Sequence, residues 1–273
     1  MPDIEKSGSM IRESRRDETI RGMLNKVPEV TIFFWIIKIM ATTVGETAAD
    51  YLSVDLNLGL TITTYIMTAV LAVVLYLQFR ARRYVPTVYW LAVVLISIVG
   101  TLITDNLVDN LGISLWTTTI AFSIALAITF AVWFAQERTL SIHSINTTKR
   151  EAFYWLAILF TFALGTAAGD LVAESLGWGY LLSGIVFAVL IATVAFVHFN
   201  LELIGGVLAF WIAYILTRPL GASLGDLLSQ KHGAGGLGLG ATGTSVIFLL
   251  TILSVVIYLT VTKRDQIPGE GSG

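Results

Sequence analysis

Acidic side chains recur at one fixed position inside apolar segments of this sequence. Each follows a tryptophan and a glycine in the pattern Trp-x9-Gly-x4-Asp, which occurs four times without a gap. The four aspartates are Asp50, Asp105, Asp170 and Asp226. A fifth acid, Glu46, directly follows the first of these glycines. Carboxylates with no cysteine or clustered histidine beside them favour hard cations such as H⁺, Na⁺, Mg²⁺, Ca²⁺ or Mn²⁺.

Helical periodicity places these acids on polar stripes. At 100° per residue, Trp35, Lys38, Gly45, Glu46 and Asp50 fall within about 140° of one another on a helix. The other stripes hold Ser97, Gly100, Thr101 and Asp105; Gly165, Thr166 and Asp170; and Arg218, Gly221, Ser223 and Asp226. A charge at membrane depth costs several kcal/mol unless it is paired or hydrated. We therefore expect the stripes to face the protein interior or an aqueous cavity.

Two bases share the stripes with these acids. We predict that Lys38 and Arg218 are internal counter-charges, with Lys38 paired to Glu46 or to an aspartate of another repeat. Pairing both bases would leave about three acids free to be protonated, hydrated or bound to a cation. A structural interpretation of the aspartates stays open, because each precedes a hairpin turn and could be solvated there. The outermost acids, Asp55, Asp109 and Glu174, are predicted loop charges.

The elements that carry the stripes are long apolar helices. The chain has 273 residues, of which 55% are hydrophobic and 13% charged, and its mean hydropathy is +0.79. Apolar runs of about 20 residues are long enough to cross a bilayer. The predicted spans are 29–52, 60–79, 86–108, 115–136, 152–174, 180–199, 203–228 and 243–262.

The motif recurs once per pair of spans, which predicts an internal repeat. The predicted repeats are 28–80, 84–137, 149–199 and 202–262. Because each contains two spans, all four share one orientation, unlike inverted-repeat transporters. We predict an all-α membrane protein of eight transmembrane helices, arranged as four parallel hairpins with pseudo-fourfold symmetry about the membrane normal. Two pairs of pairs is the alternative arrangement. Four stripes facing the axis would surround a shared cavity with acids near its outer mouth.

The glycines and tryptophans of the motif are predicted to pack the repeats together, since small residues let membrane helices approach closely. They are Gly45, Gly100, Gly165 and Gly221, and Trp35, Trp90, Trp155 and Trp211. Three further tryptophans, Trp116, Trp133 and Trp178, are predicted to lie in the interfacial aromatic belt.

Over residues 28–262, these motifs resemble a bacterial membrane protein family of four tandem two-helix repeats, each with a marker tryptophan, known as a repeat of unknown function. The resemblance implies the architecture and supplies no activity.

Basic residues predict the orientation. Fourteen of the 17 lysines and arginines lie at the termini or in the even-numbered links, which places both on the cytoplasmic side by the positive-inside rule. We therefore expect a multi-pass protein of the bacterial cytoplasmic membrane. Residues 1–27 and 263–273 are predicted cytosolic tails, and 28–262 the transmembrane domain.

Composition narrows the function. The net charge of −2 does not favour nucleic-acid binding, and the absence of cysteine excludes thiolate chemistry. No nucleophile or phosphate-binding motif is convincing, so we expect neither an enzyme nor a cofactor; an enzyme using paired carboxylates is the weakest alternative. The expected partners are the lipid bilayer and a small cation, and the oligomeric state stays open.

The leading functional prediction is a transporter or exporter of a small cation, with a hard divalent metal favoured and proton or sodium coupling allowed. Glu46 and the four aspartates would bind the ion, and the aspartates are the candidate metal ligands. Two alternatives stay open: a passive channel with an outer acidic ring, and a membrane-embedded binding or structural module without flux.

Overall fold

The computed structural model describes residues 25–265, and within them the chain forms eight long helices and no strand. The helices are α1 Ile32–Asp50, α2 Leu60–Arg80, α3 Pro86–Asp105, α4 Leu115–Glu137, α5 Thr148–Asp170, α6 Gly179–Phe199, α7 Gly206–Ser229 and α8 Gly240–Thr262. All eight are long and apolar enough to cross a membrane. The chain is thus an all-α, multi-pass membrane protein, as predicted.

The odd-numbered helices form a closed inner ring. Helix α1 packs against α3, α3 against α5, α5 against α7, and α7 against α1. Each even-numbered helix lies outside the ring, against the inner helix that follows it: α2 on α3, α4 on α5, α6 on α7 and α8 on α1. Of the two predicted arrangements, the structure therefore has the pseudo-fourfold ring.

Burial separates the two layers. In the most apolar 18-residue stretch of each inner helix, 56% to 78% of the residues are buried within the protein. The corresponding share in the outer helices is 11% to 28%. The outer helices therefore present most of their apolar surface to lipid, which is as apolar as the side chains themselves. The inner helices can carry polar side chains because their faces are covered by protein.

The repeat glycines allow the inner helices to touch. A Cβ atom added at any of them would overlap the neighbouring inner helix. Gly45 lies against Ser97, Gly100 against Phe162, Gly165 against Arg218, and Gly221 against Thr42. Each of these partners is the third residue before the next glycine around the ring. The same contact is thus made four times.

A ring of aromatic pairs closes one end of the bundle. The residue before each repeat tryptophan is also aromatic, and its ring packs against the tryptophan of the next repeat. The pairs and their centroid distances are Phe34–Trp90 at 5.5 Å, Tyr89–Trp155 at 5.4 Å, Tyr154–Trp211 at 6.2 Å and Phe210–Trp35 at 5.8 Å. This end, where the inner helices begin, is called the terminal end below; the opposite end, which carries the repeat aspartates, is called the acidic end.

The inner helices finish differently at the acidic end. In the first three repeats, a π-helical turn directly follows the aspartate: Tyr51–Asp55, Asn106–Asn110 and Leu171–Ser175. Helix α7 instead continues to Ser229, and the backbone N–H groups of Leu237 and Leu239 bond back to its last turns. The fourth repeat thus departs from the symmetry at the acidic end. The other three repeats have π-helical turns there, and such turns are frequent at functional sites.

Both described chain ends pack at the terminal end. Lys26 is buried and pairs with Glu151 at 2.7 Å, and the Tyr84 hydroxyl donates to the Asp265 carboxylate at 2.6 Å. Burial raises the pKa of the Asp265 carboxyl, and the hydrogen bond from Tyr84 partly offsets this. Residues 25–27 and 265 of the predicted tails therefore belong to the packed structure, while 1–24 and 266–273 lie outside the described residues.

Candidate cation site at the acidic end

The four repeat aspartates form a ring because they lie at the same end of the four inner helices. Asp50, Asp105 and Asp170 are the last α-helical residues of α1, α3 and α5, and Asp226 lies in the last turn of α7. Asp50 interacts electrostatically with Asp105 and Asp226, and Asp170 lies between these two on the other side. Each of the four also interacts with the Glu46 carboxylate. Within residues 25–265 no donor is hydrogen-bonded to any of the four carboxylates.

Three carboxylates come closest together. Glu46, Asp170 and Asp226 each offer an oxygen atom that lies within 4.8 Å of the others. Oxygen ligands bind Ca²⁺ at about 2.3–2.6 Å and Mg²⁺ at about 2.0–2.1 Å, so ligands on opposite sides of one ion are roughly 4–5 Å apart. Three carboxylates at this spacing can therefore hold one hard cation with little movement. Asp50 and Asp105 complete the ring around this group.

The Glu46 carboxylate also accepts a hydrogen bond from Arg218. Arg218 is fully buried, and its Nη2 donates to Glu46 Oε2 at 3.0 Å and to the Thr166 hydroxyl at 2.6 Å. The same nitrogen donates to the Thr101 hydroxyl, and Nη1 donates to the Thr42 carbonyl at 3.1 Å. Arg218 thereby contacts the inner helices of the other three repeats at once.

The position of these acceptors follows from the repeat. Glu46, Thr101 and Thr166 each follow the repeat glycine directly, so they lie at one height on three neighbouring helices. Both threonines lie on the polar stripes predicted from the sequence, where no role was expected for them. The sequence pattern that could have identified them is a threonine directly after the repeat glycine, the position that Glu46 holds in the first repeat.

Lys38 does not form the predicted ion pair. Its ammonium is fully buried, has no hydrogen-bond partner among the described residues, and lies 4.0 Å from the Phe162 ring centroid and 4.2 Å from that of Tyr214. Lys38 precedes Glu46 by eight residues, or about 12 Å of helix rise, and Arg218 from the adjacent helix reaches Glu46 first. The prediction that Lys38 pairs with Glu46 or an aspartate is therefore wrong.

The axis is packed with side chains below the acidic ring. Lys38, Ser97, Thr101, Thr166 and Arg218 are each 0% exposed, and the aromatic ring lies beneath them. The shared cavity expected between the four stripes is thus filled at these levels. Phe162 and Arg218 stand at the positions that hold the smaller Thr42 and Ser97 in the other two repeats. Their large side chains fill this part of the bundle interior.

The motif missed one residue per repeat. Phe34, Tyr89, Tyr154 and Phe210 precede the four tryptophans and build the aromatic ring. Their signal was an aromatic dipeptide at the start of every inner helix.

Comparison with known proteins places the chain in a family. The family described as Repeat of Unknown Function (DUF347) matches residues 33–84, 88–139, 153–202 and 209–265, so the chain belongs to this family. Its four matched segments agree with the four repeats seen in the ring. No curated protein and no solved structure matches the chain.

Proposed function

We propose that this member of the repeat family binds a small hard cation in its acidic ring and carries it across the membrane. The observation that supports this most directly is the approach of the Glu46, Asp170 and Asp226 oxygens to within 4.8 Å of one another. Mutual repulsion disfavours a cluster of bare carboxylates in a low dielectric, and a bound cation or shared protons relieve it. A hard divalent metal is the favoured substrate, and H⁺ or Na⁺ would exchange on the same acids.

In the proposed mechanism, Arg218 competes with the transported cation for Glu46. Glu46 cannot serve Arg218 and an incoming cation fully at the same time, so the two positive charges compete for one carboxylate. Pro219, directly after Arg218, lies inside α7 and removes a backbone hydrogen bond, which lets a helix bend locally. In the proposed cycle, cation binding releases Arg218 from Glu46, and bending at Pro219 moves its side chain off the axis.

The packed axis favours a carrier over a passive channel. An open channel needs a continuous wetted path, and the Arg218 layer and the aromatic ring interrupt such a path in this conformation. The proposal involves no covalent catalysis and no cofactor besides the transported ion. We place the protein in the bacterial cytoplasmic membrane with both termini in the cytoplasm, on the distribution of basic residues.

Whole-cell metal content tests this proposal. Cells expressing the protein are challenged with Mg²⁺, Mn²⁺, Ca²⁺, Co²⁺, Ni²⁺ and Zn²⁺, and their metal content is compared with that of cells expressing Asp50→Asn/Asp105→Asn/Asp170→Asn/Asp226→Asn. We expect one metal to change with the unmodified protein and not with this variant.

The matched control is Asp55→Asn/Asp109→Asn, which removes two exposed acids beyond the ring. It should behave like the unmodified protein, with all three present in the membrane at equal amounts. The proposal fails if cells expressing the three proteins have equal contents of every metal and if vesicles containing them show equal fluxes of protons and Na⁺. The binding-module alternative would then remain.

A further inference from the structure

One lateral cavity breaks the symmetry of the bundle at its terminal end. It encloses about 600 Å³ in front of Trp35, between α6, the first half of α7 and the link after α4. Its walls are almost entirely aliphatic and aromatic, and His143 and His198 supply its imidazole groups. Apolar pockets of about 300–1,000 Å³ with a few polar groups are typical of small-ligand sites.

The outer helices can be aligned through a buried hydroxyl near their starts. Thr63, Thr118, Ser183 and Thr244 are each at most 2% exposed, which fixes the register of the four repeats. In this register, the residues fifteen positions later are Gln78, Trp133, His198 and Leu259. The residues twelve positions later are Leu75, Phe130, Ala195 and Val256.

In the second repeat, these positions fill the groove in front of a repeat tryptophan. The Phe130 ring lies 4.9 Å and the Trp133 ring 5.9 Å from Trp211, measured between centroids. Trp133 is fully buried, so the prediction that it belongs to the interfacial belt is wrong. Trp116 and Trp178 are 57% and 46% exposed, as residues of such a belt would be.

In the third repeat, the same groove is left open. Ala195 and His198 stand where the second repeat has Phe130 and Trp133, and both line the cavity together with Trp35. Trp35, which faces this groove, is only partly buried, whereas Trp90, Trp155 and Trp211 are at most 4% exposed. Ala195 is the smallest of the four residues at its position, and the cavity lies beside it.

We propose that this cavity binds one acyl chain of a bilayer lipid, with the lipid headgroup at His198. The bundle is surrounded by lipid, and the flanking surface of α6 is open to it, with Phe196 55% and Phe199 76% exposed. The cavity lies where α6 ends and α7 begins, which is headgroup depth for a membrane-spanning helix.

The histidine chemistry fits a headgroup with a hydroxyl or phosphate. His198 Nδ1 lies 2.9 Å from the Ile204 carbonyl, which can only accept, so Nδ1 carries the proton. Nε2 of the neutral ring is then an acceptor for a hydroxyl group, and on protonation it becomes a donor to phosphate. This proposal does not depend on cation transport, because the cavity lies at the opposite end from the acidic ring.

Native mass spectrometry of the purified protein tests the assignment. We expect the unmodified protein to retain one phospholipid-sized adduct after detergent exchange. Ala195→Phe/His198→Trp copies the second repeat into the third, fills the groove, and should reduce this adduct to background.

The control Ile185→Phe adds a ring on the lipid-facing side of the same helix, outside the cavity, and should retain the adduct. Thermal unfolding and size-exclusion profiles verify that each variant is folded. Equal retention by the filled variant, no adduct on the unmodified protein, or an adduct of detergent alone would overturn the proposal.

Discussion

Lys38 and Arg218 are both fully buried basic residues with different surroundings. The terminal nitrogens of Arg218 have a carboxylate, two hydroxyls and a carbonyl as acceptors, while its Nε has no hydrogen-bond partner among the described residues. Lys38 has only two aromatic faces. A desolvated cation–π contact contributes about 2 kcal/mol or more, and burying an ion costs several kcal/mol. We therefore expect Lys38 to contribute less to stability than Arg218 does.

Replacing each base by methionine should have opposite effects on stability. Lys38→Met removes a buried amine that has no hydrogen-bond partner among the described residues, at similar volume, and should raise the unfolding temperature in detergent. Arg218→Met leaves Glu46 buried without a partner and should lower stability by about 3–5 kcal/mol. Thermal unfolding followed by circular dichroism distinguishes the two; a loss of stability in both variants would show that Lys38 is paired in solution.

The residue types of the site could be predicted from sequence, but their partners could not. Helical periodicity placed Lys38, Glu46 and Arg218 on interior faces, since only apolar faces tolerate lipid. Which base reaches Glu46 depends on the order of the helices around the ring. That order is a property of tertiary packing, and a spacing along one chain does not contain it.

At the scale of the helices, one contact repeated four times holds the ring together. Each repeat glycine receives a side chain from the next inner helix, so the axis-to-axis distance is set by the absence of a Cβ atom. The gap-free spacing of Trp, Gly and Asp made these helices and their interior faces predictable. The π-helical turns were not, because nothing in the local composition distinguishes them from the preceding α-helix.

A single methyl group should test this contact. In Gly100→Ala, the new Cβ would lie 2.7 Å from Phe162 Cβ and 3.1 Å from the Ala163 nitrogen, neither of which can rotate away. Overpacking of this kind costs roughly 1–3 kcal/mol. The control Gly243→Ala meets no atom within 4 Å in α8 and should leave stability unchanged or raise it by up to about 1 kcal/mol. Similar unfolding curves for both variants would contradict the close approach at Gly100.

At the scale of the molecule, the ring separates its two ends. The terminal end is closed by aromatic pairs and by buried contacts from both described chain ends, while the acidic end holds the only three-carboxylate cluster among residues 25–265. Asp50, Asp105 and Asp170 are partly exposed there. The proposed cation therefore enters or leaves first at the acidic end, and the packed layers below restrict its further passage.

The orientation follows from basic residues and can be tested directly. Reporter fusions at the C-terminus should give an active cytoplasmic fluorescent protein and an inactive alkaline phosphatase, because lysines and arginines favour the cytoplasmic side. Fusions in the link between α3 and α4 should show the reverse. Phosphatase activity at the C-terminus would invert the topology and place the acidic end in the cytoplasm.

Equilibrium dialysis of the purified protein tests the proposed cation site most directly. Unmodified protein, Asp170→Asn/Asp226→Asn and the control Asp55→Asn/Asp109→Asn are dialysed against each divalent metal, and bound metal per chain is measured. We expect one metal ion per chain for the unmodified protein and the control, and none for Asp170→Asn/Asp226→Asn. Equal binding by all three proteins, or no divalent metal bound by any of them, would contradict a divalent-metal site in the acidic ring.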